Sequence, residues 1–423
     1  MKPKILVFDH GMFTSFALKL SQWFDVFYYT PWDSQAFPSP NNSFIGDGFS
    51  EMVRVKDFWA TVPQMDYFFF ADIYSGGLQE HLRGLGKKVF GSGRGDSLEI
   101  LRWKMRKLMG LAGMPVNKAE RVIGTKALRE YLKSHNDVYV KVSAYRGLCE
   151  TFHSDTYELT EPLLDEIEND LGGLKYVLPF IIEQKIDAVV ETGYDGYSID
   201  GKYPETSLFG VEVKDCGYLG TIVKTENMPN EVTFVNNKLS PMLAELQYRM
   251  AISTEIRVCK DGIPYLIDLT CRLPSPPSQV MSEIYGNWDE IIIEGSQGKL
   301  VDAAPLAKFG VSATICASFA EDHWTPIYIK ESCRQFVKLH NHCNIEGVDY
   351  IIPANVHMAE VGAVVGVGDT LEEAAAHCRK MAEGVGGYSV KVKLDSLSEG
   401  LAEIKKMQDY GIKFCDDKLP KEL

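Results

Sequence analysis

At 423 residues, with 45% apolar and 24% charged side chains, the chain is a globular sequence too long for one simple core, and about two to four domains are expected. Its net charge of -14 argues against general binding to nucleic acid or anionic membranes, while leaving room for a local basic site that takes phosphates. Nine scattered cysteines without a CxxC pair, and no secretory leader around Lys2-Pro3-Lys4, point to reduced thiols in a cytoplasmic protein, and no apolar run reaches the ~18 residues of a membrane span.

In chain order, Lys4 to Phe8 reads as a buried strand, Asp9-His10-Gly11 as a turn, and Phe13 to Trp23 as a helix. Strands at Val26 to Tyr29, Tyr67 to Phe70 and Lys88 to Phe90, with a helix over Leu78 to Leu85, complete an open parallel α/β domain of about 90 residues. The turn after the first strand has one glycine and is no dinucleotide fingerprint; it reads either as a substrate loop or as a plain structural turn, with His10 not catalytic by itself. Gly91 to Asp96 is a glycine-rich loop entering a helix predicted over Leu98 to Leu111, with Asp96 or Ser97 as its N-cap and Gly113-Met114-Pro115 as its stop. Such an entry can bind phosphate, but the loop lacks the ending of a P-loop. The basic residues Arg102, Lys104, Arg106 and Lys107 on that helix read either as a solvated face or as a phosphate site.

Lys141 lies inside the apolar β run that opens Asp137 to Gly147. Facing inward it needs an anionic partner such as phosphate; on an edge strand it would face water. A helix over Glu161 to Leu171 and a strand over Tyr176 to Ile182 follow, then Glu183-Gln184-Lys185-Ile186 and a hairpin-like run from Glu191 to Lys202. Thr254 to Pro277 reads as a hairpin about Lys260-Asp261-Gly262 that brings Glu255 near Asp268, with Thr270 on the same strand face as Asp268 and Arg272 just beyond. Two carboxylates and a hydroxyl suit Mg²⁺ or Mn²⁺; the alternative is an ordinary hairpin with its charges in water. Later come a helix from Asn287 to Gly298, strands at Thr314 to Phe319 and Tyr350 to Ile352, and an amphipathic helix from Leu371 to Glu383. His340, His342 and Cys343 are closely spaced but lack a second ligand pair, and read as structural.

The order of these segments — a basic helix ending in AGMP, then VYVKVSAYRG, YVLPFIIEQKI, STEIRV and YLIDLTCRLPSPP — resembles the ATP-grasp superfamily over about residues 85 to 300. The overall layout is most similar to the glycinamide ribonucleotide synthetase family. The resemblance implies a multidomain α/β and α+β protein: an N-terminal open parallel-sheet domain (1–95), a linking helix and small lobe (96–185), a large lobe (186–303) and a C-terminal α+β domain (304–423).

It also implies roles, residue by residue. Lys141, Arg102 or its neighbours Lys104 and Arg106, and Lys214 would contact nucleotide phosphates, with Ser143, Arg146 and Gly147 in the loop above them. Glu183, Gln184 and Ile186 would hold adenine, and Glu191 the ribose. Glu255, Asp268 and Thr270 would bind the metal, and Arg272 with Lys141 and Lys214 would serve catalysis. The implied activity is an ATP- and Mg²⁺-dependent carboxylate–amine ligase working through an acyl phosphate, as a monomer or homodimer without nucleic-acid or membrane partners. The alternatives are a carboxylating or kinase-like enzyme, and a catalytically weak nucleotide-binding regulator. Three departures stand out: one glycine in Ser143 to Gly147, Thr270 in place of asparagine, and no family motif in Asp9 to Leu18, which argues against phosphoribosylamine as substrate.

Overall fold

The computed structural model describes residues 2–31, 43–143, 151–214, 216–353 and 359–423. The chain forms two compact units: one of Met1–Asp96, Thr192–Thr254 and Thr270–Leu423, the other of Ser97–Glu191 and Glu255–Leu269. No described helix is long and apolar enough to cross a membrane.

In the first unit the strands predicted at the N-terminus form as Lys4–Phe8, Asp25–Tyr29, Tyr67–Phe70 and Lys88–Phe90, joined by a fifth, Met52–Arg54, whose three residues are too short to show a period. Their spatial order is Met52–Arg54, Asp25–Tyr29, Lys4–Phe8, Tyr67–Phe70, Lys88–Phe90, and every pairing is parallel. The chain therefore builds outward on one side of Lys4–Phe8 before crossing to the other. The order reverses between Lys4–Phe8 and Tyr67–Phe70, which makes the carboxyl ends of these two strands the switch point of the sheet. Leu6, Phe8, Phe68, Phe70 and Val89 pack under Phe58, Val62 and Leu82, so the continuous apolar runs are explained by burial of the strands.

A second sheet continues the first unit, with Thr206–Val213, Gly217–Lys224, Phe309–Ala317 and Glu360–Gly368 paired antiparallel in succession. The helix Leu371–Ala382 opens on a capping box, Thr370 taking the Glu373 amide while the Glu373 side chain returns to the Thr370 amide.

The glycine-rich loop has a packing explanation. A Cβ on Gly91 would fall 2.2 Å from Gln79 Oε1 and one on Gly95 2.5 Å from the Tyr248 ring, and Gly93 has φ of +56°. The Gly93 amide donates to Gln79 Oε1 at 2.7 Å. The Asp96 carboxylate accepts the Gly76 amide at 3.0 Å and secures the start of Gly76–Gly84. The single helix expected over Leu98 to Leu111 is two, Asp96–Ile100 and Arg102–Leu111, because Leu101 leaves helical dihedrals (φ -97°, ψ 65°).

The second unit is built on a four-stranded antiparallel sheet ordered Ala119–Ile123, Pro179–Gln184, Val138–Val142, Thr151–Ser154. The helices Gly124–Leu132 and Tyr157–Leu171 cover one face, where Leu128, Leu132, Leu164, Ile167 and Leu171 bury Val138, Val140, Val142, Phe180 and Ile182. Alternation puts Tyr139, Lys141, Ile181 and Glu183 on the opposite face.

Candidate functional site

Lys141 lies on a strand flanked on both sides, so it faces inward, and only 5% of it is exposed. Its register partner is Ile181, which makes Glu183 its diagonal neighbour on the same face. Lys141 Nζ stands 3.4 Å from Glu183 Oε2 and donates to the backbone carbonyl of Ile267 at 2.6 Å. The expected anionic partner is thus supplied by the protein itself.

Arg102 and Arg106, four residues apart, share a helix face. Arg106 donates to Glu183 Oε1 at 2.8 Å and Arg102 to Asp268 Oδ1 at 2.9 Å. Burial lowers the Arg106 pKa, with the Glu183 charge opposing that shift, and its Nη2 is a buried donor without an acceptor among the described residues. Lys104, two positions on from Arg102, is exposed and reaches Ser97.

The hairpin carries the remaining acids. Along Pro264–Thr270 the buried positions Leu266 and Leu269 stand three apart, so the alternation slips by one residue at Ile267–Asp268. On Arg249–Cys259, Arg257 follows Glu255 by two and shares its face; it bonds Glu255 at 3.1 Å and Glu191 at 3.0 Å. Burial opposes the Arg257 charge, but Glu191 and Glu255 outweigh it and its pKa is raised. Arg102, Arg106, Lys141 and Arg257 are thus matched by Asp268, Glu183, Glu191 and Glu255 within this unit. Glu255 and Asp268 keep 34% and 43% of their side chains exposed, and both already accept from arginine.

Other predicted positions are placed as follows. Ser143 is buried, its amide on the Pro179 carbonyl, while Arg146 and Gly147 lie outside the described residues. The Gln184 amide is taken by the Lys118 carbonyl and its carbonyl accepts from Asn117, and the Ile186 carbonyl accepts from the Ala188 amide. An adenine ring at this segment would therefore use the Ile186 amide and second lone pairs of the carbonyls. Thr270, Arg272 and Lys214 belong to the first unit; Thr270 is half-buried, and Lys214 is exposed on the turn after Thr206–Val213.

Within the first unit Arg272 Nε lies 3.5 Å from Asp72 Oδ1, and His10 Nδ1 lies 3.7 Å from Asp72 Oδ2. Phe8 and Phe70 are register partners, so His10 and Asp72, each two residues past that pair, come side by side at the switch point. Asp9, fully buried, accepts the Tyr28 hydroxyl at 2.6 Å and the Phe13 amide at 3.0 Å on Oδ2; Oδ1 has no partner among the described residues. Burial raises its pKa.

Sequence reasoning missed Arg257, Asp72 and Asp9 as site members. Period two from Glu255 points to the first, and an acid at the carboxyl end of an apolar parallel strand points to the others. His340 and His342 are both buried, and burial lowers each pKa to about 4; burial also pushes the Cys343 thiol up to about 12, so that sulfur is no ready ligand. Among the described residues, Asp137, His153 and Asp155 are the group spaced to hold an ion, but they are largely exposed and Lys185 already sits 3.1 Å from Asp137.

No protein-family profile and no curated protein matches the chain in sequence. Solved structures do match in fold. Phosphoribosylamine–glycine ligase of Thermotoga maritima aligns over 93% of this chain and 99% of its own, at 18% identity and a TM-score of 0.70. The fold is ATP-grasp. The biotin carboxylase domain of Hydrogenobacter thermophilus 2-oxoglutarate carboxylase, solved with MgADP and bicarbonate, aligns over 98% and 97% at 12% identity and 0.64. N5-carboxyaminoimidazole ribonucleotide synthetase of T. maritima aligns over 92% and 100% at 14% identity and 0.56. The architecture expected of an ATP-grasp chain, a parallel-sheet domain with further antiparallel sheets, is the one found.

Proposed function

We propose that the protein is an ATP- and Mg²⁺-dependent carboxylate–amine ligase that forms an amide through an acyl phosphate and releases ADP and phosphate. The observation that carries this reading is the matched set of four cations and four acids on the second unit. A nucleoside triphosphate and a divalent cation bring the same two signs of charge, so they exchange partners with the set and strand neither sign without a counter-charge. In this reading Arg102, Arg106 and Lys141 take phosphate oxygens, with Lys104 as an outlying cation. Glu183, Gln184 and Ile186 hold the base and Glu191 the ribose. Glu255 and Asp268 would hold Mg²⁺. When bound, the cation would supply charge neutralisation to the nucleotide phosphates.

The protein's own share is placement and charge stabilisation. A substrate carboxylate attacks the γ-phosphorus, ADP leaves, and an amine then displaces phosphate from the acyl carbon. Arg272 stabilises the negative charge that develops on the acyl group. An ADP-release screen pairing a panel of carboxylic acids with a panel of amines, with product masses measured, tests the reading. Release that requires Mg²⁺ and both substrates is expected; ATP binding without turnover across the whole panel would overturn it.

The similarity to carboxylases supports a second reading, in which bicarbonate is the carboxylate. That reading requires bicarbonate-dependent ADP release with no need for an added carboxylic acid.

A further inference from the structure

Three of the four cations in the matched set, Arg102, Arg106 and Lys141, keep 15% or less of their side chains exposed, whereas Arg257 keeps 38%. An enclosed cation is fixed by the packing around it; an exposed arginine can change partners without stranding a buried charge. Arg257 is also the member that spans two acids. Its Nε donates to Glu255 Oε1 at 3.1 Å on its own strand, Arg249–Cys259. Its Nη2 stands 3.0 Å from Glu191 Oε2 on Ala188–Ile199, the neighbouring strand. The hairpin lies against the open face of the small sheet, since Lys141 Nζ reaches the Ile267 carbonyl, and Tyr139 on that face is close enough to act on the Arg257 charge. Arg257 therefore comes over the same sheet face as Lys141.

A carboxylate bonded to a guanidinium is a poor ligand for a free divalent cation, which must either displace the arginine or stand beside a like charge. A nucleotide changes that balance. Its phosphates carry several negative charges and take a guanidinium by paired, charge-assisted hydrogen bonds. A ribose hydroxyl can donate to Glu191 in place of Nη2. Both acids can then release Arg257 without loss of a partner.

We propose that Arg257 is a specificity-determining residue of the nucleotide site: it guards Glu255 against a free divalent cation and passes to a phosphate when a nucleotide arrives, so that the site takes the metal–nucleotide complex in preference to the metal alone. This inference rests on the nucleotide and metal part of the ligase reading and on no step of the reaction itself. Without nucleotide the guanidinium holds Glu191 and Glu255 together. With nucleotide it neutralises a phosphate oxygen, and Glu255 is released to the cation that accompanies the phosphates. Glu255 stays beside a positive charge at both stages.

Binding alone tests this, with no carboxylic acid or amine present. Mn²⁺ by itself is followed through loss of its free electron-spin-resonance signal, ADP by itself through calorimetry in a chelator, and the two together through calorimetry. The unaltered chain is compared with Arg257→Met, Arg257→Gln and Arg257→Lys, each checked by a thermal melt. Arg257→Met and Arg257→Gln remove the charge with different side chains. Both are expected to bind Mn²⁺ alone about tenfold more tightly and ADP alone about tenfold more weakly, the worth of one charge-assisted hydrogen bond. Arg257→Lys keeps the charge but not the fork that reaches both acids; it is expected to fall between, and it carries the comparison alone should the neutral variants not fold. Equal or weaker Mn²⁺ binding in the folded variants would overturn the guard, and equal or tighter ADP binding would overturn the passage to phosphate. If the unaltered chain binds neither ADP nor its Mn²⁺ complex, the nucleotide reading fails and the guard with it. If it binds both and the variants match it, the guard alone fails.

Discussion

The two charge clusters of the protein are composed by opposite rules. On the second unit each acid has its cation: Glu183 has Lys141 and Arg106, Asp268 has Arg102, and Glu255 and Glu191 share Arg257. At the end of the parallel sheet, buried Asp9 accepts from a hydroxyl and an amide, with His10 and Asp72 acting on it through their charge, and Asp72 itself lies near an imidazole and an arginine. A matched set can exchange ions at little cost in uncompensated charge. An acid without a cation stays responsive to protons.

That contrast can be broken most sharply at Asp268. In the proposed reading Asp268→Asn removes an oxygen that would hold the metal, so Mg²⁺-dependent ADP release is expected to fall by about 100-fold or more while the protein stays folded. Full activity in a coupled ADP assay would remove Asp268 from the metal site. Glu183→Gln tests the matched set as structure: it leaves buried Lys141 and Arg106 short of a counter-charge, and a loss of about 3 kcal/mol in urea unfolding is expected.

Asp9 tests the other rule through pH. Its carboxyl is raised above the ordinary 3.8, with desolvation as the largest cause. Its favourable contribution is therefore present below that ordinary value and disappears as pH rises through the raised one. Asp9→Asn should consequently gain on the parent chain as pH rises, seen as a growing difference in unfolding midpoints between acidic and mildly alkaline buffer. A constant difference would show that the Asp9 proton is not linked to folding. The smallest effect belongs to Asp137, which is exposed and paired with Lys185 and His153. There Asp137→Asn should leave both ADP release and the unfolding midpoint where they were, and added Zn²⁺ should not shift its melt.

The sequence exposes what its local patterns determine. Four of the five parallel strands follow from continuous apolar runs, and the hairpin from alternation about Lys260-Asp261-Gly262. Met52–Arg54 escapes because it gains its pairing from Asp25–Tyr29 rather than from a pattern of its own. The break at Leu101 and the partner of Asp96 depend on tertiary contacts that no local window contains. In the site, Lys141 announces itself as a lysine in an apolar strand. Its link to Glu183 requires the register of two strands some forty residues apart, and the approach of His10 to Asp72 requires the strand order.

The small sheet ends in the strand Ala119–Ile123, which pairs on one side with Pro179–Gln184 and has no sheet neighbour on the other among the described residues. Glu120 and Arg121 are exposed along it. An open row of backbone donors and acceptors is a template for another chain, and adjacent charges of opposite sign make such pairing in uniform register costly. Replacing both with valine would leave the folded unit intact and turn this border into a seed for intermolecular β-sheet, so solubility of the concentrated protein depends on two residues with no part in its chemistry.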